Sequence, residues 1–505
     1  MPSQQSSPGS TIKSSVINLI NTIIGAGLLA IPYSFKTDGV LLGVLILLFS
    51  GISSSFGLYL QGVSSKFLKK GDANFFTICS ITYPSLSVLF DIAIAIQCFG
   101  VGLSYIILTG DLMPIVLPFG DYSKEELRLI YILLSVFIVV PLCYLKNLDS
   151  LKYTSIIALL AILYLTLFVY SMFFYSLFNG FQNIPDDKRG EINWIASEGF
   201  DKIFSTFSIG IFAFTGHQNM FSIINELNNK FSNLIQISKI ISISMGLSFF
   251  LFLTVGLFGY LTYGDTINGN IILVYDDDLV SVKLGRILLV LMVLLSYPLM
   301  FHPARISFNN IIHWISVTFL KYDFTKDIVE AEGAINETSP LIRSGEEADT
   351  GNGGNDGIER ESESDSKFGQ VGKALPLPER RFLILTTFML ILSYFVAISL
   401  KSFELVLSLV GATGSTAISF ILPGLFGFKL LNTNDEFLRS CLDKNVTFDE
   451  IENETSDEPE NDHSINIYNY EMKILNSNYL KIASLLLAIW GIIAMFICLY
   501  ATLFT

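Results

Sequence analysis

The residues from Ser14 to Phe35, SSVINLINTIIGAGLLAIPYSF, form a stretch long and apolar enough to cross a bilayer, yet poorly suited to a single continuous helix. Gly25 and Gly27 sit in its middle and Pro32 follows. Glycine costs about 1 kcal/mol in a helix interior and proline removes a donor, so the segment is expected to unwind at mid-depth. Lipid offers freed amides no partner, and such a break persists only where it faces protein, water or a ligand. Glycines also serve close helix packing in membranes, so this stretch alone leaves both readings open.

A second interrupted stretch decides between them. Residues 203–227 read IFSTFSIGIFAFTGHQNMFSIINEL, with Thr215, Gly216, His217, Gln218 and Asn219 in a row at the centre. A lipid-facing helix would not carry that cluster, because polar groups at membrane depth line a cavity or bind something. Apolar windows of about 20 residues recur at 15–35, 40–63, 86–109, 129–145, 154–177, 203–224, 239–261, 279–301, 382–400, 403–428 and 479–504. The expected fold is therefore an all-α polytopic membrane protein of eleven spans. The broken first and sixth spans, five apart, enter from opposite sides and suggest a 5+5 inverted repeat, 14–177 and 203–428, with span eleven at 479–505.

Composition agrees, with 51% hydrophobic and 15% charged residues against roughly 25% charged in a soluble domain. The formal charge of −14 is local: 14 acidic and 6 basic residues lie between Tyr322 and Arg380, and 12 against 5 between Lys429 and Lys481. The insertion at 322–380 and the loop at 429–478 read as disordered acidic linkers, with Ser362, Ser364 and Ser366 open to phosphorylation. Lysine and arginine gather after the even-numbered spans, at Lys66, Lys69 and Lys70, at Lys146 and Lys152, at Lys230 and Lys239, and at Arg305 and Lys321. That places the amino terminus, with its 1–13 tail, in the cytosol and the carboxyl terminus on the far side. No cleavable leader is expected at the start. The sequons at Asn336, Asn445 and Asn453 fall on the cytosolic side and are expected to stay unused. The five cysteines suggest neither disulfides nor a metal.

Where span one unwinds at Gly25, Ala26 and Gly27, amides and the positive end of a half-helix would meet an anion. The carbonyls of Phe212, Ala213, Phe214 and Thr215 would meet a cation. The pair suits a zwitterion and favours a free amino acid over a sugar or a fatty acid. No GxSxG, HExxH or Walker loop is present, nor a basic nucleic-acid surface, so neither an enzyme, a cofactor nor a nucleic-acid partner is expected.

SSVINLINTIIGAGLLAIPYSF, FAFTGHQNMFSIINEL and LSYPLMFHPARISF resemble the first, sixth and eighth spans of the amino acid/auxin permease family. Its fungal vacuolar members and the animal sodium-coupled neutral amino acid transporters are the most similar. The resemblance covers all eleven spans and leaves out the acidic insertions. It implies a leucine-transporter-like fold, alternating access, and symport or exchange driven by H+ or Na+. It puts the substrate carboxylate near Gly25, Ala26 and Gly27, with Thr22 and Asn21 beside it. Asn18 or Asn21 together with Ser296 match the residues that hold the ion in sodium-coupled relatives, although those relatives carry threonine where Ser296 stands.

His217 is the natural proton-coupling group, and a neutral histidine packed in a polar cluster is the competing reading. His302 and Arg305 read as interface anchors or as a gate. Asp91 and Glu226 are expected either to pair with lysine or arginine as an inner gate or to be solvated helix ends. Tyr33 and Phe214 are candidate aromatic lids, as well as ordinary packing. The expected function is secondary transport of neutral or broadly specific amino acids across a vacuolar membrane, proton-coupled and directed from lumen to cytosol. A sodium-coupled plasma-membrane transporter, and an amino acid sensor with signalling loops, are the alternatives.

Overall fold

The computed structural model describes residues 10–145, 152–196, 199–228, 233–319, 377–400, 402–442 and 461–504. The first nine residues, most of the 322–380 insertion with its serines, the three sequons, and Lys146, Lys230 and Lys321 lie outside the described residues. Among the described residues the elements are helical throughout. Nine helices among the described residues are long and apolar enough to cross a membrane.

Both anticipated interruptions are present. Helix α1 (Ile12–Ile23) starts where Thr11 accepts the Ser14 amide and ends at Ile24, whose ψ of 91° leaves the helical region. Helix α2 (Gly27–Ser65) then begins and contains Pro32. At Gly39 (φ 71°, ψ 168°) it turns back on itself, so α2 holds the second half of span one and all of span two. The first span thus runs on to Asp38 instead of ending at Phe35. Only glycine fits the turn, since φ is positive and a Cβ would lie 2.5 Å from the Ile195 carbonyl carbon.

Next come α3 (Phe75–Thr82), α4 (Ser87–Val116) and α5 (Lys124–Cys143). Helix α5 opens on a capping box, with Ser123 accepting the Glu126 amide and Glu126 accepting the Ser123 amide. Helix α6 (Lys152–Phe178) completes the first half. Helix α7 (Phe200–Ala213) breaks at Phe214 and resumes as α8 (His217–Glu226).

After α9 (Leu234–Tyr263), α10 (Val280–Phe319) and α11 (Glu379–Ser399), the next apolar stretch is not uniform either. Helix α12 (Phe403–Val410) passes through π segments at Gly411–Ser415 and Ala417–Ile421 before α13 (Leu422–Leu430). Close backbone approach accompanies the first π segment: a Cβ on Gly411 would meet the Ser208 carbonyl oxygen at 2.0 Å, and one on Gly414 the Gln97 amide nitrogen at 2.6 Å.

The acidic loop 429–478 is not an unstructured linker throughout. Its last part is helix α14 (Asn461–Leu475), leading into α15 (Asn478–Phe504). Glu471 of α14 pairs with Lys66 Nζ at 3.2 Å and accepts the Leu234 amide at 2.6 Å, tying it to the ends of α2 and α9. These contacts reward ordering that composition alone argued against.

Packing brings the two broken segments together. Helix α1 lies against α8, and α2 against α7. The first half of one broken span thus meets the second half of the other. Helix α4 packs along α10 and α2 along α9 around them.

Candidate functional site

A cavity lies between the two breaks. It is lined by Thr22, Ile23, Gly25, Ala26 and Gly27 from span one, by Phe212, Thr215 and Gln218 from span six, by Gln97, Val101 and Tyr105 from α4, and by Met300 from α10. Its volume is about 20 Å³, on the scale of one water. No charged side chain lines it.

The backbone around this cavity has unspent capacity. At the first break the Gly25 amide donates to Ile23 (3.1 Å), while Leu28 and Leu29 donate to Gly25 and Ala26 (3.2 Å each). The amides of Ala26 and Gly27 take no backbone partner among the described residues. They stand at the amino end of α2, where the helix dipole adds positive potential. At the second break the Phe214 and Thr215 amides bond back to Gly210 and Phe212, and among the described residues the carbonyls of Ala213, Phe214 and Thr215 accept no backbone amide. Donors on one side and acceptors on the other suit a small zwitterion. Gln218 Oε1 adds a buried acceptor without a partner.

Side chains hold the breaks in register. Thr22 donates to the Asn18 carbonyl (2.9 Å) and accepts from Asn219 Nδ2 (3.0 Å), joining α1 to α8. Ser415, in the first π segment, donates to Gln97 Oε1 at 2.7 Å and fixes that amide at the cavity. Gly27 lets the half-helices touch, since a Cβ there would lie 3.0 Å from Ala213 Cα.

The expected site residues separate into those at the cavity and those behind it. Thr22, Gly25, Ala26, Gly27, Phe212 and Thr215 line it. Asn21, with a buried unpartnered Oδ1, does not. Ala213 backs Gly27, and Phe214 is fully buried and packs edge-on against Phe252 at 5.0 Å between centroids. Tyr33 is half-buried under Lys36, 5.9 Å from its ring centroid.

His217 is fully buried behind the cavity. Its Nε2 lies 3.1 Å from the Ser54 carbonyl oxygen and its Nδ1 3.0 Å from Ser419 Oγ. A carbonyl only accepts, so Nε2 carries a proton toward Ser54, while the Ser419 hydroxyl can serve Nδ1 as donor or acceptor. Ser419 Oγ lies 3.3 Å from Thr215 Oγ1, linking the imidazole to the cavity wall. Asn18 and Ser296 are half-buried and outside the lining, although Met300, one turn beyond Ser296, is part of it.

Among the described residues neither Asp91 nor Glu226 forms an ion pair with lysine or arginine. Asp91 is buried and accepts from Asn310 Nδ2 (3.1 Å) of α10, not from lysine or arginine. Glu226 is exposed, and its backbone carbonyl accepts the Ser10 amide at 2.6 Å. Arg305 is buried as an anchor, donating to the Cys143 carbonyl (3.0 Å) and Thr386 (3.2 Å), contacting His302 Nδ1 (3.0 Å), and lying 4.2 Å from the Phe382 ring centroid. Besides Ile23 and Gln218, which adjoin expected residues, sequence reasoning missed Gln97, Val101, Tyr105 and Met300. Gln97, a lone amide in an apolar span, was the one legible signal among them.

Known proteins resemble this chain in fold and in sequence. MhsT, solved in complex with L-phenylalanine, aligns over 98% of this chain and 100% of its own with a TM-score of 0.53 at 10% identity, a likeness of fold alone. The chain is 38% identical to vacuolar amino acid transporter 7 of Saccharomyces cerevisiae over 98% of both chains. It is 36% identical to vacuolar amino acid transporter 6 of the same yeast, over 98% of this chain and 99% of that one. Residues 8–448 match the model of the family described as transmembrane amino acid transporter protein, and the chain belongs to that family, the amino acid/auxin permeases.

Proposed function

We propose that this protein is a secondary transporter of neutral amino acids in a vacuolar membrane, driven by protons and moving substrate from lumen to cytosol by alternating access. The observation that carries the reading is the cavity itself: the bare Ala26 and Gly27 amides lie on one side and the bare carbonyls of residues 213–215 on the other, with no charged side chain in the lining. An α-carboxylate and an α-ammonium complete those dipoles, and an uncharged pocket of Gln97, Val101, Tyr105 and Met300 remains for the side chain. The names of the yeast relatives support the vacuolar membrane.

In this reading the chain makes eleven crossings, because the broken spans one and six add to those made by unbroken helices. Spans 1–5 and 6–10 form the inverted repeat. The Ser10 end of α1 faces the cytosol and α15 ends in the lumen. The cavity is far smaller than an amino acid, so the broken spans move apart along a seam to admit it.

The test is uptake by purified protein in liposomes, with labelled amino acids under an imposed proton or sodium gradient. Accumulation of neutral amino acids that follows the proton gradient is expected. Stimulation by sodium alone would replace the coupling ion, and no uptake of any amino acid would overturn the reading.

A further inference from the structure

The carboxyl group of Asp38 has no role in the cavity, yet it is fully buried, at 0% exposure. Thr206 of α7 donates to Oδ1 at 2.8 Å, and Oδ2 is buried without a hydrogen-bond partner. Ser34, one turn earlier, also has a buried unpartnered hydroxyl. Asp38 immediately precedes the Gly39 turn, where the loop closes over it: Val40 and Leu41 donate to the Asn193 and Trp194 carbonyls at 3.1 and 3.0 Å.

The ionisable groups around it are Lys36 on the same helix, Asp201 and Lys202 on α7, Glu191 in the loop and Tyr260 on α9. Lys36 Nζ donates to the Ile267 carbonyl (3.2 Å), and Tyr260 accepts the Asn193 amide (2.8 Å). Asp201, Lys202 and Glu191 are exposed. No ion pair to Asp38 exists among the described residues. An ionised carboxylate sealed away from water with one hydroxyl donor and no cation is far costlier than the neutral acid. The Asp38–Thr206 contact also joins the two half-helices that must part if the cavity is to open on the side away from α1.

We propose that Asp38 is a proton-binding group of the lumenal gate, and that the seam between α2 and α7 closes over the neutral acid. When the seam opens, the carboxyl O–H bond breaks and its proton passes to lumenal water. When it closes, the carboxylate takes a proton back. An acidic lumen thereby favours closure over bound substrate. The proposal rests on the transport reading above, but not on which ion drives transport.

The test is counterflow of a labelled amino acid in proteoliposomes with the same pH on both faces, so that neither gradient nor orientation enters. Between about pH 5 and about pH 7.5, the wild type is expected to lose about fivefold in rate as carboxylates ionise. Asp38→Asn, neutral at every pH, is expected to retain the acid-side rate throughout. A wild-type profile that is flat, or an Asp38→Asn profile that falls like the wild type, overturns the proposal while leaving the transport reading intact. Absence of counterflow for every amino acid in the wild type overturns the transport reading instead. Should Asp38→Asn not insert as a monodisperse protein, Asp38→Glu is read in its place. A midpoint displaced by about half a pH unit or more supports the assignment, and an unchanged midpoint overturns it.

Discussion

Two glycines three atoms of backbone apart do different work. A Cβ on Gly25 would lie 3.7 Å from Tyr105 Oη, an ordinary contact, whereas one on Gly27 would press on Ala213 Cα at 3.0 Å and Cβ at 3.2 Å. Gly27→Val is therefore expected to wedge the half-helices apart and lower the initial rate of labelled uptake by about tenfold or more, equivalent to at least 1.4 kcal/mol. Gly25→Ala is expected to cost only a few-fold. Normal uptake by Gly27→Val would show that the half-helices need not touch. His217→Ala removes both ring contacts and leaves the Ser54 carbonyl short of a donor. A loss of about 2–4 kcal/mol in stability is expected, read as earlier thermal unfolding in detergent. At this scale the breaks were legible because glycine, proline and a run of polar residues are local signals. Tyr105 and Met300 were not, because they lie in apolar helices and gain their meaning only from what packs opposite. Asp38 was hidden for a related reason: its burial comes from residues 193–194 and Thr206, more than 150 positions away in the chain.

Elements that carry no transport chemistry show how the scaffold is held. Arg286 in α10 is fully buried and gathers the loop that follows α9. Its Nε and Nη2 donate to the Ile272 carbonyl (3.4 and 3.0 Å), and Nη2 also reaches the Tyr275 carbonyl (3.4 Å) and Asp277 (2.7 Å). Lysine supplies a single ammonium where this guanidinium serves three oxygens from a planar fork. Arg286→Lys is expected to cost about 2–4 kcal/mol in stability, since buried acceptors are left short of donors. Unfolding by heat would reveal it, and an unchanged transition would mean the loop is held by other contacts. Apolar windows indicated most helices to within a few residues, because span length is set by the bilayer. They did not reveal the one-residue joint at Gly39 or helix α14, whose order depends on Glu471 finding Lys66 and the Leu234 amide.

For the whole molecule, the broken spans meet at two seams, one held by side chains and one by backbone. On one side Asp38 meets Thr206. On the other Ser10 and Leu227 form an isolated bridge, with Ser10 donating to Glu226 (2.6 Å) and Asn228 donating to Ser10 (3.3 Å). Alternating access requires the seams to open in turn, so locking either should stop transport while leaving the fold intact. The five native cysteines are buried. The Cys79 thiol is pushed up to about 12, chiefly by burial and then by Asp91, so it stays protonated and slow to react. A protein carrying Ser10→Cys and Leu227→Cys can therefore be oxidised at the introduced pair alone. Transport is expected to fall to about a tenth or less on oxidation and to return with reductant, the loss a closed pathway imposes when turnover requires lid opening. Full transport by the cross-linked protein would mean that α1 and α8 do not separate, and that substrate leaves by a route other than the one between the broken helices.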